Sequence, residues 1–270
     1  MEVVYHRAGE GVLYQGDCRV IVPQLAHTSP PEEVDVAIVD PPYGDTKLDW
    51  DSRDLGWLED LDKVVKPTGT IWLFGSMRML MAQAAGIEAL GWQLAQDLVW
   101  EKHNGSGFHA DRFKRVHEHV VHLYRKAVRW KDVYKSPVTT PDAVARQVRR
   151  KKRPTHMGNV DQGHYVAEDG GPRLMRSVLQ VRSCHGYADH PTQKPVGLLT
   201  PLLEYSCPPG GTVLDPMCGV ASTLVAARSL GRGYVGIELD PHYCEVGARR
   251  LSQELPFFAS ETTAEACPGK

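Results

Sequence analysis

Gly211-Thr212-Val213-Leu214-Asp215-Pro216-Met217-Cys218-Gly219-Val220-Ala221-Ser222-Thr223 reads as a strand, a tight turn and the start of a helix. Gly233-Tyr234-Val235-Gly236-Ile237-Glu238-Leu239-Asp240 then reads as the next strand, ending in acids. Strand, glycine turn, helix, strand and an acid about twenty residues beyond the turn is the physical logic of a nucleoside site. The turn lets a ligand approach the backbone. Glu238, at the strand end, is the candidate that accepts from both ribose hydroxyls, while Asp240 is placed to cap the helix starting at Pro241. Neither a Gly-x-Gly-x-x-Gly turn nor a phosphate loop ending in Gly-Lys-Ser/Thr is present, which favours a nucleoside without phosphates over NAD or ATP.

Upstream, the β-branched run Val34-Asp35-Val36-Ala37-Ile38-Val39 stops at Asp40-Pro41-Pro42-Tyr43. This is a buried strand ending in a rigid turn. An acid, two carbonyls without amide protons and an aromatic plate suit a planar group bearing an exocyclic amine. Asp40 and the Pro41 carbonyl accept from the NH2, Pro42 helps to fix the turn, and Tyr43 stacks on the ring.

The segments between alternate in period. Leu55 to Val65 carries apolar residues at helical spacing and is closed by Pro67 and Gly69; Thr70–Phe74 is a second buried strand. A helix over Met77–Leu90 ends at Gly91, and strands follow at Leu94–Glu101 and Val116–Tyr124. Strands alternating with helices predict a doubly wound, mostly parallel α/β sheet. Periodicity fades from about 126 to 188, where Pro, Gly and basic residues rise, and a helix resumes from about Pro195 to Tyr205.

The net charge of −2 is uninformative, but its distribution is not. Residues 101–182 hold 18 Lys and Arg against 8 Asp and Glu, whereas the remainder holds 13 against 25. Such asymmetry implies a basic surface for a polyanion, densest at Arg146-Gln147-Val148-Arg149-Arg150-Lys151-Lys152-Arg153. Phe108 could anchor a loop or stack at that polyanion. The six cysteines are scattered without a Cys-x-x-Cys, against both a disulfide framework and a zinc site. His117, His119 and His122 lack a supporting acid pair, so no metal is expected. No apolar stretch approaches a membrane span, no signal-peptide core follows Met1, and the expected location is the cytoplasm.

With these motifs in hand, the chain resembles the S-adenosylmethionine-dependent amino-methyltransferases of DNA, in the β arrangement where Asp-Pro-Pro-Tyr precedes the cofactor segment. His190-Pro191-Thr192-Gln193-Lys194-Pro195 is similar to the segment before the family's cofactor strand, and Gly16-Asp17 to its Gly-Asp. Trp100-Glu101-Lys102 and His117-Glu118-His119 resemble its later landmarks. The resemblance implies a Rossmann-like methyltransferase sheet with circularly permuted motif order. It also implies roles: Asp17 at the cofactor's adenine, Asp215 at the methionine end, Gly219 at the close backbone approach, Lys194 and Thr192 on the methionine carboxylate, and Met217 among the cofactor-binding residues. For Thr192 a helix cap is an equal alternative. One departure stands out. The family's Phe-x-Gly-x-Gly turn is here Met217-Cys218-Gly219-Val220-Ala221, which bears on cofactor affinity and not on the fold.

The expected organisation is a catalytic half at 1–125, a target-recognition insert at 126–188, a cofactor half at 189–255 and a flexible tail at 256–270. The expected activity is methylation of a flipped base in double-stranded DNA at adenine N6, with cytosine N4 the alternative and RNA a weaker substrate. Asp-Pro-Pro-Tyr favours adenine over the Ser-Pro-Pro-Tyr of many cytosine enzymes. Arg149, Arg150, Lys151 and Lys152 are the candidate phosphate contacts. The rival from another class is a DNA-binding protein with a decayed cofactor site. A homodimer and a restriction partner are left open.

Overall fold

The computed structural model describes residues 3–28, 33–44, 56–106, 110–149 and 164–253. Strands β1 (Val3–Ala8) and β2 (Gly11–Gln15) form a hairpin that leads into helix α1 (Cys18–Leu25). β3 (Val34–Val39) is the run that ends at Asp40; α2 (Gly56–Val64), β4 (Val65–Gly75) and α3 (Met77–Ala89) follow. β5 (Trp92–Ser106) and β6 (Arg115–Arg125) make a long antiparallel pair. The short strands β7 (Thr139–Thr140), β8 (Arg146–Arg149), β9 (His164–Ala167), β10 (Arg173–Leu174) and β11 (Val178–Gln180) precede α4 (Val196–Ser206). The chain continues through β12 (Thr212–Asp215), α5 (Ser222–Ser229), β13 (Gly233–Glu238) and α6 (Pro241–Ser252).

Two compact units result. The larger holds the described residues of 1–136 and 177–254, and the smaller those of 137–176. In the larger unit nine strands form one sheet in the order β1-β2-β13-β12-β3-β4-β6-β5-β11. The pairings from β2 to β4 are parallel, as the alternation of strands and helices predicts. β6 runs antiparallel between β4 and β5, because β5 returns through a hairpin loop instead of a crossover helix. The smaller unit contains two two-stranded ladders, β7 with β10 and β8 with β9.

Both faces of the large sheet are covered, which is why its central strands read as continuous apolar runs. Ile71 and Leu73 join a cluster with Ile21 of α1, Leu58 and Leu61 of α2 and Met79 of α3. Their neighbour Trp72 points the other way, and its indole N–H donates to Ser206 Oγ of α4 at 2.9 Å. That alternation stacks helices on opposite faces of one strand.

One local expectation is corrected. Pro67 and Gly69 do not close a helix in a free turn but lie inside β4, where the pairing with β3 jumps from Val34↔Val65 to Val36↔Thr70. The extra residues form an irregularity that tolerates a proline without an amide proton. A side chain at Gly69 would sit 2.9 Å from the Asp35 carbonyl, which explains the glycine.

No helix among the described residues is long and apolar enough to cross a membrane. Cys184, Cys207, Cys218 and Cys244 are buried free thiols and Cys18 is partly buried. The tail 256–270 lies outside the described residues, as do Phe108, Arg150, Lys151 and Lys152.

Candidate active site

β3 and β12 are adjacent and parallel, so the turns after Val39 and Asp215 open at the same edge of the sheet. A crevice outside the carboxyl ends of parallel strands is where ligands bind in such folds. Here it is a cavity of about 590 Å³, lined by Asp17, Asp40, Pro42, Thr192, Lys194, Asp215, Met217, Gly219 and Glu238 among others. Pro41, which is buried, and Tyr43 are not part of its lining.

One end of the cavity is built by the turns after β12 and β13. Gly219 adopts φ 51°, in the left-handed region that favours glycine, and its N–H donates to Glu238 Oε2 at 2.8 Å. The Asp240 N–H donates to Glu238 Oε1, also at 2.8 Å. Each carboxylate oxygen keeps a further lone pair for a ligand hydroxyl. Burial raises the Glu238 carboxyl above its ordinary range, although these backbone donors oppose the rise. Asp240 caps α6 by accepting from the His242 N–H at 2.8 Å. Asp215 accepts from the Met217 N–H at 3.1 Å, and burial pushes its carboxyl up to about 7. Asp17 caps α1 and accepts from the Arg19 backbone N–H at 2.9 Å and its guanidinium at 2.8 Å. The preceding Gly16 N–H donates to the Glu238 carbonyl at 2.9 Å, which ties this turn to the end of β13.

Ala221 is the one non-glycine residue with positive φ among the described residues, at 64°. It stands where the family's second glycine is expected, so the backbone keeps the turn and carries the strain of an L side chain in it. Its fully buried Cβ lies where α6 presents Gly247; a Cβ built on Gly247 would approach it to 3.1 Å. The turn is accommodated by a small partner on the neighbouring helix.

The part of the cavity around Asp40 holds a network of charges. Tyr43 donates its hydroxyl to Asp40 Oδ1 at 2.7 Å, and the Lys194 ammonium donates to Asp40 Oδ2. Burial and the Asp40 charge push the Tyr43 phenol well above its ordinary range, so it remains a donor. Its ring packs partly buried against the core, rather than standing free as a plate for stacking. Glu118 of β6 lies beside them: Oε1 accepts from Lys102, and Oε2 is 3.7 Å from Lys194 Nζ. Burial alone would lower Lys194 and raise Glu118. The opposite charges around each outweigh it, so both are held in their charged forms.

Thr192 does not cap α4. That position belongs to Pro195, without a side-chain cap bond, because Thr192 is turned toward His190, with its Oγ1 3.1 Å from Nδ1. His190 in turn packs edge-on against Tyr243 at 4.3 Å between ring centroids. The sequence reading gave Glu118, His190 and Tyr243 no role, nor Phe74, whose ring lies 5.2 Å below Lys194 Nζ. Phe74 carried one signal, as an aromatic near the end of a buried strand. Glu118 carried another, as an acid among histidines in a segment resembling the family. His117 and His119 meet edge-on at 5.0 Å, and no cluster of three or more metal-ligating residues occurs among the described residues.

The profile of the N6/N4 methyltransferase family, described as DNA methylase, matches residues 34–249. The type II methyltransferase M.HinfI of Haemophilus influenzae is 25% identical over 90% of this chain and 69% of its own length. The type II methyltransferase M2.DpnII of Streptococcus pneumoniae is 25% identical over 83% and 84%. Among solved structures, the PvuII DNA methyltransferase (cytosine-N4-specific) is similar in fold, with a TM-score of 0.67 at 16% identity over 93% of this chain and 89% of that one. The M1.HpyAVI–SAM complex aligns with a TM-score of 0.61 at 22% identity, over 88% and 98%. Since the matched span runs from the strand before Asp40 through the turn at Gly219 and into α6, the chain belongs to the N6/N4 family of DNA methylases.

Proposed function

We propose that this chain methylates the exocyclic N6 amine of adenine in double-stranded DNA, using S-adenosylmethionine. The observation that carries this reading is that Asp40 opens on the same cavity as Gly219 and Glu238. A carboxylate that grips an amine and a carboxylate that grips a ribose then share one chamber, whose volume lies within the range usual for ligand sites.

The residues present fit the cofactor. Glu238 would take the ribose hydroxyls, Gly219 would allow close approach, Asp17 would meet the adenine, and Asp215 with Thr192 would meet the methionine end, whereas Lys194, expected on the methionine carboxylate, is drawn instead to Asp40 by its charge. Bound S-adenosylmethionine would supply an electrophilic methyl on a sulfonium that leaves as a neutral thioether. Asp40 accepts an N–H of the target amine and so orients the nitrogen lone pair, while the Pro41-Pro42 turn holds the acceptor rigid. No strong base is required, since the amine becomes cationic as the new bond forms and then sheds a proton. Tyr43 presses on Asp40 and, on turning outward, can cover the ring of a base swung out of the duplex. The basic run from Arg146 through Arg149 and Arg150 to Lys151 and Lys152 is assigned to the phosphate backbone. The carboxylate at position 40 favours adenine over cytosine.

The test is to incubate the purified protein with unmethylated duplex DNA and methyl-labelled S-adenosylmethionine, then digest and separate the nucleosides. Label in N6-methyladenine is the expected result. Label in N4-methylcytosine would replace the base assignment and keep the rest, and label in neither would overturn the proposal.

A further inference from the structure

Both oxygens of Asp40 already accept a hydrogen bond before any base arrives, Oδ1 from the Tyr43 hydroxyl and Oδ2 from the Lys194 ammonium. Lys194 is buried, with 9% of its side chain exposed, and stands over the face of Phe74. An amine entering the cavity therefore competes at Oδ2 with a nitrogen cation that is the stronger claimant on the carboxylate's charge. A buried ammonium cannot be expelled into an apolar wall without a large desolvation cost. It needs a second carboxylate.

That carboxylate is present. Glu118 Oε2 is buried, has no hydrogen-bond partner, and faces Lys194 Nζ at 3.7 Å. Lys102 engages the other oxygen of Glu118 and leaves this one waiting. A buried acceptor without a donor is uncommon in a folded protein and asks for an explanation. Closing 3.7 Å to hydrogen-bond length requires a movement of about 1 Å, within reach of a terminal side-chain torsion.

Resting on the methyl-transfer reading above, we propose that Lys194 is a two-position cation, which holds Asp40 in place of the target amine and passes to Glu118 Oε2 when the base enters. Lys194 and Glu118 are thus positioning residues. In the first position the ammonium holds the Asp40 carboxylate in place while the site is empty. In the second it frees Oδ2 for the incoming N–H and remains paired throughout, so the exchange never leaves a bare buried charge.

Steady-state methyl transfer to unmethylated duplex DNA tests this with wild type, Glu118→Gln, Lys194→Met and the double variant, alongside calorimetric binding of S-adenosylmethionine. Glu118→Gln strands the ammonium on Asp40, so kcat/KM for DNA should fall by about 30-fold or more, with cofactor affinity changed less than about threefold. Adding Lys194→Met removes the cation that needed parking, and should restore at least about tenfold of that loss. A merely structural pair would instead give a double variant no better than Glu118→Gln. That outcome, or a Glu118→Gln enzyme within about threefold of wild type, would overturn the inference. If a variant does not fold, a crystal structure of wild type with cofactor product and its DNA site decides. Lys194 Nζ should hydrogen-bond Glu118 Oε2 there, and an ammonium still on Asp40 would overturn the proposal. A wild-type protein that methylates no DNA at all would overturn the functional reading and this inference together. Active wild type with the wrong variant pattern removes this inference alone.

Discussion

The carboxylate of Asp40 and the ammonium of Lys194, 154 positions apart in the chain, form an ion pair on the wall of one cavity. The pair joins the Asp-Pro-Pro-Tyr turn after β3 to the segment before α4, and with Glu118 and Lys102 it continues onto β5 and β6. Three separated stretches of sequence therefore meet at the group assigned to grip the amine.

Asp40→Ala should abolish methylation while leaving S-adenosylmethionine binding within a few-fold of wild type. Losing a fixed acceptor at the reacting group lowers kcat by about 100- to 1000-fold in comparable sites. Single-turnover methylation together with calorimetry checks this, and a comparable rate in the variant would show that Asp40 does not hold the amine.

Glu238→Ala should act on the other half of the cavity. Two hydrogen bonds to a carboxylate are worth about 2–4 kcal/mol, so the dissociation constant for S-adenosylmethionine should rise by about 30- to 1000-fold. Glu238 also holds the Gly219 and Asp240 amides, so part of the loss comes from a loosened turn. An unchanged constant in calorimetry would remove the ribose assignment.

DNA affinity should fall steeply with salt. Replacing Arg149, Arg150, Lys151 and Lys152 with Ala should flatten the slope of log K against log salt by up to about four units, weakening all sequences alike. Binding isotherms at several salt concentrations, on cognate and scrambled duplexes, separate the outcomes. Relaxed sequence preference with little change of slope would mean base reading, and no change in either would take the run out of the interface.

Ala221 and Gly247 should be exchangeable only together. Gly247→Ala alone brings a Cβ to 3.1 Å from Ala221 Cβ, a crowding that costs about 1–3 kcal/mol and should lower Tm. With Ala221→Gly added, the next neighbour is Leu13 at 3.5 Å, the strain at φ 64° is relieved, and α6 gains a better helix former. The double variant should melt above wild type by about 2–4 °C, which thermal unfolding reads directly.

Stability should also fall with acid through His122. Its ring is fully buried, stacked on Trp72 at 4.0 Å, and has no hydrogen-bond partner at either nitrogen. Burial lowers its pKa from 6.5 to about 3. The folded state thus favours the neutral ring, so this contribution is complete above the unfolded value and is lost as pH falls from 6.5 toward 3. The full loss is on the order of 5 kcal/mol, at about 1.4 kcal/mol per pH unit. Denaturant unfolding across that window should be flatter in His122→Phe than in wild type. Equal slopes would show that other groups carry the acid sensitivity.

The local chemistry of the chain determined most of the fold and the placement of Asp40, Gly219 and Glu238. Apolar period, paired prolines and glycine turns act within a few residues, so the strand ending at Val39 and the strand-turn-helix around Gly219 could be read without knowing what they touch. Tertiary structure decided what could not be read this way. It set β6 against its neighbours, because a hairpin can return a strand where a helix would have carried it across. It buried Pro67 and Gly69 in a strand irregularity, since the pairing partner and not the local residues set the register. It let Ala221 occupy a glycine conformation by placing Gly247 opposite. And it brought Lys194 to Asp40 and Glu118, because the choice among charged partners depends on which strand ends converge, and strand order is a property of the whole sheet.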